Sequence, residues 1–333
     1  MTHTRYGGYS LLEVMLALAL GAVLTTGVLA LFSGNARTSD VVAGHAQLQD
    51  GARYALEFIA RRVRAAGYFG CGLGSQPRAA DATLPLFPAH HAAVGVAGHE
   101  GLAGGTWTPA LPNWPARGGA VVPETDILVV NYMEQPVRRL ARRLDPLGTP
   151  VVARVDSAAF AIGDVLMVSD CLQTAAFRLT GMTRVGDGLA LHGAAGGRPF
   201  EHSAGAYGAS AGVGVLRTTA FFIAPSRYGD RSGGNPSALW QWSPGQAPAE
   251  LVVGVEDMQL LFGVEVAATQ ASDRLYRFMD MQAVRGHAGR IVSVRATLAV
   301  NSVDPVDEGE RLVRSFSRTI MVRNPSPGDV VGS

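Results

Sequence analysis

From Val14 to Phe32 the chain carries no charged residue. Leu, Ala, Val and Met dominate these 19 positions, with Gly21, Thr25, Thr26 and Gly27 as the exceptions. As a helix rising about 1.5 Å per residue, the run spans about 28 Å, close to the hydrocarbon thickness of a bilayer. A secretory signal peptide has a shorter apolar core with its small-residue cleavage site behind it. Here the small polar junction lies in front, at Gly7 to Ser10. That order predicts a segment cut on its N-terminal side and kept in the mature protein. Past Phe32 the pattern turns amphipathic. Leu48, Ala52, Leu56, Ile59 and Val63 recur at spacings of three and four, while Asp50, Arg53, Glu57, Arg61 and Arg64 lie off that stripe. No proline interrupts Tyr9 to Ala66, and Gly67 is a natural stop. The pattern predicts one helix, half apolar and half amphipathic. The alternative is two helices joined around Ser33 to Asp40, with a weak point at Gly34.

After Gly67 an irregular stretch rich in Gly, Pro and His runs to Pro123. From Asp126 the pattern is that of strands. They are expected at Asp126 to Tyr132, Asp164 to Cys171, Ala175 to Met182, Gly188 to His192, Val213 to Ala224 and Leu239 to Trp242. Further strands are expected at Met258 to Val266, Leu275 to Met281, Ile291 to Ser302 and Arg311 to Arg323; Glu250 to Val255 reads equally as strand or short helix. Ile291 to Val300 alternates, which predicts one buried and one solvated face. Strands following one long helix give an α+β class: a long N-terminal helix packed on an antiparallel β-rich domain. The expected organisation is 1–8 leader, 9–32 membrane helix, 33–67 amphipathic helix and 68–333 globular domain, with long loops at 73–123 and 193–212.

Composition narrows the function classes. The 333 residues suffice for a well-buried core, and a net charge of +1 gives no reason to expect nucleic acid as a partner. All 28 basic residues are Arg, which excludes any lysine-dependent site such as a P-loop. Arg5 before the apolar run favours a cytoplasmic N-terminus and an exported C-terminal body.

Glu13 is the unusual residue, a carboxylate at the head of an apolar helix, where it is costly unless paired or near water. It is the fifth residue after Gly8, and an aromatic, Tyr9, follows that glycine. Gly7-Gly8-Tyr9-Ser10-Leu11-Leu12-Glu13 with its apolar run resembles the leader junction and first helix of type IV pilin and pseudopilin precursors; Tyr9 stands where Phe is usual. The resemblance implies cleavage after Gly8 by a prepilin peptidase and N-methylation of Tyr9. It further implies that Glu13 pairs with the N-terminal amine of a neighbouring subunit. Later stretches are similar to the PilW-type minor pilins: Ala66 to Cys71, Gly163 to Cys171, Leu251 to Gly263 and Phe316 to Asn324. Residues Leu73 to Pro123 and Gly193 to Gly212 resemble nothing nameable.

The resemblance to PilW-type proteins implies a non-catalytic protein of the bacterial inner membrane, with a periplasmic body, that passes into the pilus fibre or its tip. It would prime pilus assembly with other minor pilins, the major pilin and the inner-membrane assembly platform, and help display a large tip adhesin. Two other readings stand beside it: a minor pseudopilin of a type II secretion system, and a membrane-anchored periplasmic enzyme or binding domain. Export favours one disulfide between Cys71 and Cys171, tying the helix end to the sheet, over two free thiols.

Catalytic and metal motifs are sparse, so neither a cofactor nor a metal is expected. Gly208-Ala209-Ser210-Ala211-Gly212 fits the hydrolase elbow pattern, but no strand precedes its serine and no helix follows. Asp304, Asp307, Glu308 and Glu310 lack the spacing of a calcium loop. His90, His91 and His99 read as surface histidines. Arg138, Arg139, Arg142 and Arg143 read as a solvated cluster, or as a contact for an acidic surface or lipid headgroups.

Overall fold

The computed structural model describes residues 9–71, 78–79, 95–111, 121–145, 148–154, 156–193, 206–231, 233–267, 274–285, 289–306 and 310–325. Its first element is α1 (Leu11–Ala65), continuous through Gly34. The stripe expected to face the body does so: Leu48, Ala52, Leu56, Ile59 and Val63 are all buried, joined by Gly44, Ala55 and Ala60. The helix ends at Ala66, and Gly67 adopts a left-handed φ of 72°. A Cβ there would run into the Asn324 carbonyl, so glycine is required both by conformation and by space.

The strands are β1 (Arg78–Ala79), β2 (Val96–Leu102), β3 (Thr106–Thr108), β4 (Ile127–Met133), β5 (Arg138–Arg139), β6 (Val151–Ala153), β7 (Val165–Ser169), β8 (Thr174–Arg178) and β9 (Gly181–Val185). They continue with β10 (Gly188–His192), β11 (Gly212–Pro225), β12 (Ser237–Trp242), β13 (Ala249–Val253), β14 (Val255–Ala267), β15 (Arg274–Met279), β16 (Gly289–Asn301) and β17 (Val313–Met321). A short α2 (Met281–Arg285) precedes β16. One sheet runs β1-β8-β7-β11-β4-β2-β3, with β12 and β5 also pairing to β11 and β13 to β12. A second is β6-β10-β9, and a third is β15-β14-β16-β17. All pairs are antiparallel except β1 with β8. The chain is therefore α+β, a long apolar-headed helix on an antiparallel body.

The main core lies between α1 and two of these sheets. Leu48, Ile59 and Val63 meet Phe262, Val294, Leu298 and Ile320 of the third sheet, and Leu128, Val130 and Phe221 of the first. β4 is buried at every position because a second cluster, built on Val129, Phe222 and Trp240, covers its other face. That explains its apolar run Ile127–Val130, while the buried Asn131 beyond it accepts from the Thr218 hydroxyl at 2.7 Å. A further cluster, around Val152, Phe177, Leu189 and Val213, forms its own lobe from the chain between β4 and β11.

The structure departs from the sequence expectations at several strands. The stretch expected to be irregular up to Pro123 contains the β2–β3 hairpin. Its strand pattern is masked because Gly98 must leave room for the Phe262 ring and because His99 is a buried polar residue. Ala175 to Met182 is two strands in different sheets. The chain breaks at Leu179 and Thr180, whose N–H groups go to Asp164 and His192 carbonyls. Glu250 to Val255 resolves as strand, with Gly254 turning β13 into β14.

Candidate assembly interface

Among the described residues the N-terminal half of α1 touches nothing in the body. Ser10 caps it, its Oγ accepting from Leu12 N–H at 3.2 Å and its carbonyl accepting from Glu13 N–H at 3.0 Å. Glu13 therefore stands in the first turn, where the exposed amide dipoles favour a carboxylate. Among the described residues no cation lies within ion-pair distance of it. Tyr9, the first described residue, is 84 % exposed; Gly8 lies outside the described residues. From Leu11 to Phe32 every large apolar side chain is exposed, and the most apolar window has a mean hydropathy of 2.3 with none of it buried. Its hydroxyls bring no unmet donor to this surface. Thr25 donates to the Gly21 carbonyl at 2.7 Å and Thr26 to that of Val23 at 2.8 Å. In length, apolarity and internal hydrogen bonding this half satisfies what a bilayer demands.

The other end of α1 is fixed to the body. Glu57 bridges Arg318 of β17 at 2.8 Å and Arg64 at 3.4 Å. The hydrogen bond from Arg318 holds the Glu57 carboxyl below its usual range. Beyond Gly70, Cys71 is bonded to Cys171 with their Cα atoms 4.8 Å apart. Asp170 Oδ1 shapes the partner hairpin by accepting from Leu172 and Gln173 N–H, both at 2.9 Å.

Asp126 was invisible as a site in the sequence. It is 5 % exposed and joins two parts of the body, Oδ1 accepting from Gly101 N–H at 3.0 Å and Oδ2 from Leu260 N–H at 2.7 Å. Burial pushes its carboxyl up to about 6, and Glu100 and Asp257 add to the rise against the lowering by the two amides. Its partners lie 25 and 134 residues away in sequence, which left no local signal.

The remaining motifs are structural. His99 is buried, with Nδ1 2.6 Å from the Pro109 carbonyl, which corrects its reading as a surface histidine. It is a residue of β2 itself, opposite Ile127 of β4. His90 and His91 lie outside the described residues. Ser210 is exposed in a turn that leads into β11, the wrong context for a nucleophile elbow. Asp304 pairs with Arg231 at 3.1 Å and Asp230 with Arg311, beside an open cleft of about 660 Å³; Asp307 and Glu308 lie outside the described residues. No group of three potential metal ligands occurs among the described residues. In the basic cluster Arg138 and Arg139 form β5 against β11, and Arg143 pairs with Asp145 at 3.3 Å.

Two matches to known families bear on these features. Residues 3–29 match the prokaryotic N-terminal methylation motif, which covers Gly8, Tyr9, Glu13 and most of the apolar run. Residues 230–321 match the family described as Type IV Pilus-assembly protein W. Together they support a PilW-type minor pilin of type IV pili. The PilW match spans β12 to β17, including Leu251 to Gly263; Ala66 to Cys71 and Gly163 to Cys171 fall outside it. No curated protein and no solved structure matches the chain. The exposed half-helix fits the membrane anchor of such a pilin.

Proposed function

We propose that this PilW-type chain primes type IV pilus assembly in the inner membrane and then sits in the tip complex of the fibre, as a structural and non-catalytic subunit. One observation carries the reading: a continuous helix whose rigid upper half is anchored in the body while its lower half, headed by Tyr9 and Glu13, is apolar and uncovered. In this reading the leader is cut after Gly8 and Tyr9 becomes the N-methylated terminus. The lower half of α1 packs with the same segment of other minor pilins and the major pilin, first in the bilayer and then in the fibre core. Glu13 pairs there with a neighbour's N-terminal amine. Removing one partner of such a buried pair costs about 3–5 kcal/mol, enough to enforce register between subunits. The body remains periplasmic until extrusion.

Two measurements test this. The N-terminal peptide mass of protein recovered from its native membrane should begin at N-methylated Tyr9; a chain still starting at Met1 or Thr2 in a strain with active peptidase would remove the basis for it. Glu13→Ala should be cut normally yet fail to support surface piliation, and normal piliation would sink the pairing role.

A further inference from the structure

β17 ends its sheet. Its only strand partner among the described residues is β16, across nine residues without a register shift, whereas the β14–β16 pairing shifts twice. The hydrogen bonds that extend this ladder fix which way each residue faces. Val322 N–H donates to the Val292 carbonyl and Ser302 N–H to that of Leu312. In this register the even-numbered residues of β17 exchange bonds with β16. The odd-numbered residues Val313, Ser315, Ser317, Thr319 and Met321 turn their N–H and C=O groups outward along an edge about 30 Å long. All five are exposed.

Natural sheet edges are blunted by proline, bulges or charge. This one has no proline and no bulge, and its odd residues carry no charge. Its two arginines, Arg314 and Arg318, are even-numbered and lie on the α1 side, where Arg318 is held by Glu57. A strand added here would meet exposed Arg314 and half-buried Phe316 on that side, Arg318 being held by Glu57 and Ile320 buried in the core, and the Ser and Thr hydroxyls on the other. Its complement is an extended segment with an apolar residue opposite Phe316, a carboxylate opposite Arg314 and small polar residues beside the hydroxyls.

We infer that β17 is a strand-addition site for an extended, acidic-and-apolar segment of another subunit of the fibre, an inference that rests on the pilin reading. An antiparallel second copy of this chain is the wrong occupant. Antiparallel β17–β17 pairing needs a two-fold axis normal to the sheet, and α1 lies along that sheet. The operation would point the two membrane helices in opposite directions, which one bilayer forbids.

The test uses full-length protein. In detergent micelles the Ser315, Ser317 and Thr319 amides should exchange fast with solvent; amides already protected in the isolated chain would overturn the inference. Ser317→Pro removes one outward N–H at a position where an edge strand tolerates proline. Ser317→Ala removes only the hydroxyl that accepts from Thr297. The proline variant should melt within about 5 °C of the wild type, be cut to Tyr9, stay in the membrane and yet be lost at least tenfold from sheared fibres, while Ser317→Ala is retained. Should Ser317→Pro misfold, Ser315→Lys, which places a charge on the edge without touching the bonds to β16, replaces it with the same expectation. Arg314→Glu should be lost similarly and Arg314→Lys retained. Wild-type incorporation of a folded edge variant would overturn the inference and leave the pilin reading intact; loss of processing or of Glu13 dependence would instead strike that reading itself.

Discussion

Replacing Asp126 with Asn should change how stability depends on pH. The carboxyl is buried and its proton is held to about pH 6, against 3.8 for an ordinary aspartate. Below about pH 4 the group is protonated in both folded and unfolded chains and costs nothing. Between about 4 and 6 the unfolded chain releases the proton while the folded chain keeps it, so folding weakens as pH rises. Above 6 both are ionised and the full cost is present. A shift of about two units at about 1.4 kcal/mol each gives about 3 kcal/mol. Asn escapes that cost but can accept only one of the two N–H bonds. Its amide then faces the other donor, a loss of about 1–3 kcal/mol at any pH.

Asp126→Asn should therefore be less stable than wild type at pH 4, and about equal or more stable at pH 7. Urea unfolding of the micelle-bound protein, followed by fluorescence of the buried Trp240, reads the midpoint at each pH. The difference between the two proteins is the diagnostic, since titrating groups that do not interact with Asp126 cancel in it. If the variant instead loses ground to wild type as pH rises from 4 to 7, the Gly101 and Leu260 amides outweigh desolvation and the sign of the argument is wrong.

The packing predicts three other outcomes. Ile59→Ala, at a fully buried position between α1 and the sheets, should cost about 2–5 kcal/mol, while Val42→Ala on the exposed side should stay within about 0.5; equal effects in urea titrations would mean the stripe does not hold the helix. Gly67→Ala should lower the melting temperature, because φ is 72° and the new Cβ meets the Asn324 carbonyl, and an unchanged melt would show that the turn can relax. Replacing Cys71 and Cys171 together by Ser should cost up to about 4.7 kcal/mol, since the bond closes a loop of 100 residues; a midpoint indifferent to the change, and to reductant in the wild type, would refute a stabilising role.

How much the sequence discloses depends on how far apart the interacting parts lie. Leu48, Ala52, Leu56, Ile59 and Val63 announce their buried face because helical periodicity is local, and all five are buried. β4 and β16 are legible because their β-branched runs need no knowledge of neighbours. β2 is not, since Gly98 makes sense only against Phe262 and His99 only against the Pro109 carbonyl. Asp126 likewise takes its meaning from Leu260. The segment proposed to act in assembly lies at the legible extreme: Gly8, Tyr9, Glu13 and the apolar run are adjacent in sequence, so its pattern survives without a fold. The β17 edge lies at the other. Its residues read as a strand, but that the strand ends a sheet follows only from the order β15-β14-β16-β17. A surface defined by the partner it lacks can be seen only once every pairing among the described residues is known.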